Sequence, residues 1–160
     1  MPTATYVLEV DWDNDGVFGT ASGEDVTSHV RVVQYSRGRD YASQLVGHAI
    51  AGQLVATLLN TDGRYNSFST ASPLFGNLLP GRRVRLRTTS PSSHVLWTGY
   101  LDTIVPTPRH AALDTAELRA IGPLGLINQR EAVVAVATGV LTGSAIGLIL
   151  DDAAWASSTD

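Results

Sequence analysis

Over the first 121 residues, hydrophobic positions recur at short spacing between clusters of Gly, Asn, Asp and Ser. Tyr6-Val7-Leu8-Glu9-Val10 and the stretch Val26 to Tyr35 are rich in β-branched and aromatic residues and are bounded by turn formers, which predicts two strands. Ala49 to Leu59 has apolar residues at 50, 54, 55, 58 and 59, a spacing that a helix would also satisfy. Gly52 inside it, with the β-branched Val55 and Thr57, favours a strand that ends at Asn60-Thr61-Asp62-Gly63. Val84-Arg85-Leu86-Arg87 alternates strictly, so Val84 and Leu86 share the core face while Arg83, Arg85 and Arg87 share the other. His94 to Ile104 and Leu113 to Ile121 read as further strands, separated by Pro106-Thr107-Pro108.

Residues 60–80 break this rhythm. They are dense in Asn, Ser, Thr, Gly and Pro, with room for one helical turn around Leu74 to Asn77, yet they also carry Tyr65, Phe68, Leu74, Phe75, Leu78 and Leu79. That is more apolar surface than a solvated loop carries without cost, which marks a segment docked on a partner or on the domain's own core. On the partner reading, Tyr65, Phe68 and Phe75 are its anchors. After Gly122-Pro123 charge nearly disappears. Leu124 to Gln129 predicts a short helical turn, Ala132 to Val136 is an apolar run, and Ile146, Ile149, Leu150 and Ala153 recur at the spacing of one helix face behind Thr142. Asp151 and Asp152 oppose the dipole of that helix, so it is expected to lean on tertiary packing. The expected fold is therefore mainly β, a barrel- or sandwich-like domain over residues 1–121, followed by one or two short helices in an extension over residues 122–160.

Composition narrows the chemistry. The 160 residues are 44% hydrophobic, enough for a buried core, and contain no cysteine, which removes disulfide frameworks, thiolate metal sites and thiol nucleophiles. No stretch approaches the roughly 18 apolar residues of a membrane span, and Met1 to Val10 lacks the basic head and apolar run of a signal peptide. A net charge of -4 argues against nucleic-acid binding. The charge is polarised, however. Glu9, Asp11, Asp13, Asp15, Glu24 and Asp25 precede the first arginine at Arg31, whereas residues 31–87 hold eight arginines against Asp40 and Asp62.

The sharpest local signal is Asp11-Trp12-Asp13-Asn14-Asp15-Gly16: three carboxylates two residues apart, then a glycine, which could wrap a hard cation such as Ca²⁺ in oxygen ligands. A helix-loop-helix calcium site would need Glu at the twelfth loop position, where Ser22 stands; Glu24 and Asp25 follow two and three residues late, and the flanks look like strands. The expectation is a calcium-stapled β-loop with Asp11, Asp13 and Asp15 as ligands, helped by Glu24 or Asp25, set against a plain turn whose carboxylates cap backbone amides. The arginine row Arg83, Arg85 and Arg87 is read as a partner-facing surface for carboxylates, for instance the Asp-rich loop of an adjacent copy. His29, His48, His94 and His110 form no HxxxH or HxH pair. There is no Gly-x-Ser-x-Gly elbow and no phosphate-binding glycine loop, so no catalytic site is expected.

Several segments taken in order, VDWDNDGVF with GEDVTSHV, YSRGRDYASQLVGHAIAGQLVATLLNTDGRYN, SPLFGNLLPGRRVRLRTT and LWTGYLDTI, resemble the N-terminal region of phage minor tail proteins of the tail-tip or baseplate-hub type. Leu79-Pro80-Gly81, an alternating strand and then Trp97-Thr98-Gly99-Tyr100-Leu101-Asp102 is similar to hub proteins in which a "PG..V.L" strand precedes a ".GY.D" strand. The resemblance implies a β-barrel component of the virion, made in the host bacterial cytoplasm, that joins copies of itself and other tail proteins in a ring at the distal end of the tail tube. Relatives of that type continue well beyond the segment matching Ala154-Trp155, so residues 122–160 would open a further domain in them. The alternative is a calcium-dependent carbohydrate- or surface-binding β module, which would need exposed Trp or Tyr beside the acidic loop.

Overall fold

The computed structural model describes residues 5–37, 50–108, 114–128 and 138–152. Its centre is one six-stranded antiparallel sheet, curled into a half-barrel. The strands are β1 (Thr5–Val10), β2 (Val30–Ser36), β3 (Gln53–Leu59), β4 (Arg83–Ser90), β5 (His94–Thr107) and β6 (Thr115–Ile121), in the spatial order β1-β4-β5-β6-β3-β2. Two short helices follow, α1 (Pro123–Asn128) and α2 (Thr142–Asp152). The mainly β fold with short C-terminal helices agrees with the hydrophobic pattern. Ala132 to Val136 lies outside the described residues, as does Ala153.

Alternation along the strands builds the core. Leu8 and Val10 of β1, Val84 and Leu86 of β4, Trp97 and Leu101 of β5, Leu118 of β6 and Leu54 and Leu58 of β3 are all buried on one face. In the register, Leu8 lies opposite Leu86 and Val10 opposite Val84. Because β5 must bring Trp97 across its neighbour, Gly99 has no room for a side chain: a Cβ there would collide with the Ile121 carbonyl and the Trp97 ring.

Strand order dictates what the connections do. β3 and β4 stand on opposite sides of the β5–β6 pair, so residues 60–82 have to travel past both strands. Tyr65, Leu74 and Leu78 are buried in the core as they do so. The Tyr65 hydroxyl meets His29 Nδ1 at 3.1 Å, and the Asn60 side-chain carbonyl accepts the Tyr65 amide at 2.9 Å. Tyr65 therefore packs in this domain's own core, one of the two placements that the sequence pattern left open. Phe68, 91% exposed, and the half-exposed Phe75 and Leu79 face outward from the same segment. The segment is a succession of tight turns, without the helical turn expected at Leu74 to Asn77.

Other differences from the expected elements are local. The stretch from Val26 to Tyr35 begins not as a strand but as a 3-10 turn, Thr27–His29, because the Asp25 carboxylate takes the Thr27 amide at 2.9 Å and the Val26 carbonyl takes the His29 amide. β5 runs through Pro106, which lies opposite Ala116, and stops only at Thr107. In α2, Ile146 and Ile149 remain about half exposed, so the packing expected of their face is not found among the described residues.

Candidate metal centre

Residues 11–25 leave the end of β1 and return beside it. The Asp11 amide donates to the Arg83 carbonyl at 3.0 Å, continuing the β1–β4 ladder by one residue. Alternation then sends Trp12 into the core, where its indole N–H donates to the Gly23 carbonyl at 3.0 Å, and leaves Asp11 on the opposite face. Asn14 and Gly16 adopt positive φ, of 64° and 85°, and turn the chain back so that the alternate carboxylates converge.

Asp11, Asp13, Asp15 and Glu24 each offer one carboxylate oxygen to a common cluster, all within 4.8 Å of one another. This cluster could hold a metal ion. Asp11 and Glu24 are completely buried, while Asp13 and Asp15 are exposed at its mouth. Each buried carboxylate spends one oxygen on backbone. Asp11 Oδ2 accepts the Gly16 amide at 3.0 Å, and Glu24 Oε2 accepts the amides of Gly19, Thr20 and Ala21 at 2.5, 2.9 and 3.3 Å. Their other oxygens, Asp11 Oδ1 and Glu24 Oε1, are buried with no hydrogen-bond partner among the described residues. At the mouth, Asp13 Oδ1 accepts the Asp15 amide, and Asp15 accepts the Val17 amide and the Thr20 hydroxyl.

An unmatched buried carboxylate oxygen is costly, and the cost grows when four like charges share a few ångströms. A divalent cation removes both problems at once. The donor set fits a hard one: it is oxygen-only, carries four formal negative charges and lies on a loop with glycine turns, without the His or Cys that softer metals favour. Among the five acidic residues expected here, Asp25 does not join. It forms an isolated bridge to Glu9, and its exposed carboxylate is engaged by the Thr27 amide.

The arginine row is engaged within the chain. The Glu9 carboxylate, nearly buried, accepts from Arg85 Nε at 2.9 Å and from Arg87 Nε and Nη2, both at 3.0 Å. Arg85 lies over the Phe18 ring at 4.3 Å, and Arg83 donates to the Gly16 carbonyl at 3.3 Å. All three guanidiniums thus have partners within the chain: Arg87 and Arg85 on Glu9 of β1, and Arg85 and Arg83 on Phe18 and Gly16 of the acidic loop. The sequence did not single out Glu9 or Phe18. Strand alternation puts Glu9 on the same face as Asp11, but only the pairing of β1 with β4 brings it opposite Arg85.

No family model matches the sequence, and no curated protein matches it.

Burial raises the pKa of Glu9, but the hydrogen bonds and charges of Arg87 and Arg85 outweigh it and hold the carboxyl below its ordinary value of 4.5. A lowered folded-state pKa means stabilisation that is complete above the unfolded value and lost as pH falls through the folded one. Glu9→Gln should therefore destabilise the fold by about 1–3 kcal/mol at pH 7 in urea denaturation. The difference from the parent chain should shrink as pH is lowered below 4.5. A constant difference down to strongly acidic pH would assign the loss to packing instead.

Proposed function

We propose that this chain is a calcium-stapled, non-catalytic β domain that acts as a structural assembly component of a phage tail tip or baseplate, joining copies of itself and other tail proteins in the virion. The calcium part is carried by one observation: the two oxygens, Asp11 Oδ1 and Glu24 Oε1, buried without a partner among the described residues in a four-carboxylate cluster. Ca²⁺ accepts about six to eight oxygen ligands in flexible geometry, whereas Mg²⁺ demands a near-ideal octahedron, and a loop of alternate aspartates with exposed members suits the first better. Water or backbone carbonyls would complete its shell.

The assembly part is supported by Phe68, an aromatic ring left 91% exposed on a segment whose Tyr65, Leu74 and Leu78 complete the core, and by the resemblance of the ordered sequence motifs to tail-tip proteins. Exposed aromatic anchors are characteristic of association surfaces. The rival reading as a sugar-binding module draws less support, because Trp12 is buried and Phe18 is covered by Arg85, which leaves no open aromatic platform of these two beside the acidic loop.

Calorimetric titration of the metal-stripped chain tests the calcium part. It should show one Ca²⁺ bound per chain and a rise in melting temperature, with a stabilisation of about 2.7 kcal/mol at a hundredfold excess over Kd. Glu24→Gln should abolish both signals. Absence of heat and of a melting shift at millimolar Ca²⁺ would leave only a capped turn.

Sedimentation of the purified chain tests the assembly part. Phe68→Ala should weaken self-association at least several-fold while changing monomer stability by no more than about 0.5 kcal/mol. Unchanged association would remove the role assigned to that ring.

A further inference from the structure

β1 is an edge strand: one side pairs with β4 and the other borders the sheet. An open edge offers unpaired amides and carbonyls to any approaching strand, and proteins commonly cover it. Here residues 24–27 do so. The Val10 amide donates to the Glu24 carbonyl at 2.9 Å, the Val26 amide to the Leu8 carbonyl at 3.0 Å, and the Leu8 amide to Thr27 Oγ1 at 3.0 Å. The cover is only an isolated bridge and not a full strand, so its own ladder is short.

What holds so short a segment in place can be read from its first residue. The main chain of Glu24 closes the edge through its carbonyl, while its side chain enters the carboxylate cluster. On the other side of the cluster, Asp11 is the residue directly after β1. The two buried oxygens without partners among the described residues, Asp11 Oδ1 and Glu24 Oε1, thus belong to the two segments that the edge bonds join. We infer that a cation shared by Asp11 and Glu24 is a latch that keeps the outer edge of β1 closed by residues 24–27. The inference rests on the calcium reading above.

The physical basis is linkage. Without a cation, two buried carboxylates with unmatched oxygens repel each other and gain by returning to water. Glu24, on the loop side, can do this by swinging outward, and that motion carries away the carbonyl bonded to Val10 and loosens Val26. With the cation in place the same motion would break the bond between Glu24 and the ion that Asp11 also holds. Reciprocity follows: ion binding favours the closed edge, and whatever favours the closed edge tightens ion binding.

Amide hydrogen exchange on the full chain, with calcium and with a chelator, reads this directly. The amides of Leu8, Val10 and Val26 should exchange about tenfold or more slower with calcium, while those of the central strands β3 and β6 stay unchanged. Thr27→Val removes the acceptor of the Leu8 amide without touching a ligand carboxylate. It should weaken calcium binding about three- to tenfold by calorimetry, an effect that a merely structural edge bond would not produce. If calcium binds and the three amides exchange alike in both states, or if Thr27→Val binds calcium as tightly as the parent chain, the latch is overturned and the calcium site stands. Loss of protection throughout the sheet on chelation would also overturn it, in favour of a global folding role. If calcium does not bind at all, the site and the latch fall together.

Discussion

Two carboxylates taken completely out of water, Asp11 and Glu24, constrain the N-terminal part of the molecule. Neither can be buried at random, because each charged group needs enough donors or a counter-charge to replace its lost hydration. Backbone amides satisfy one oxygen of each: Gly16 for Asp11, and Gly19, Thr20 and Ala21 for Glu24. The glycines and the positive φ of Asn14 place those donors, and the direction of the remaining oxygens follows from the same geometry. The loop conformation, the proximity of Asp13 and Asp15 and the return of residues 24–27 to the β1 edge are thus facets of one electrostatic problem.

The arginines of β4 solve a second problem on the same face. Glu9 would be a third carboxylate with little access to water, but Arg85 and Arg87 surround it with three hydrogen bonds. Arg85 and Arg83 then continue outward to Phe18 and the Gly16 carbonyl, so the sheet braces the acidic loop from below. The division of labour is clear: fixed cations of the chain neutralise the carboxylate within the strand, while those in the loop face one another with two oxygens unmatched. Charge that looked polarised along the sequence is brought together in space.

Period-two patterning made the strands legible, because a half-buried sheet writes its two faces directly into the chain: Val84 and Leu86 went to the core and Arg85 and Arg87 to the other side as the alternation required. The alternate aspartates were equally visible, since their spacing is local. Contacts set by strand order were not. That Tyr65 belongs to the core while Phe68 stays outside depends on residues 60–82 passing β5 and β6 on their way to β4, which no local pattern encodes. The choice of Glu24 over its neighbour Asp25 likewise depends on folded backbone, since Glu24 reaches the amides of Gly19, Thr20 and Ala21 while Asp25 takes that of Thr27.

The central claim is that the unmatched oxygens of Asp11 and Glu24 are cation ligands, and the most direct measurement is a crystal structure of the chain grown in calcium, with anomalous data to identify the ion. The account predicts a single calcium peak bonded to both Asp11 Oδ1 and Glu24 Oε1 at about 2.3–2.6 Å, with Asp13 and Asp15 completing the acidic side of its shell. Density at that position explained by water, or by a proton shared between the two carboxyls, would contradict it.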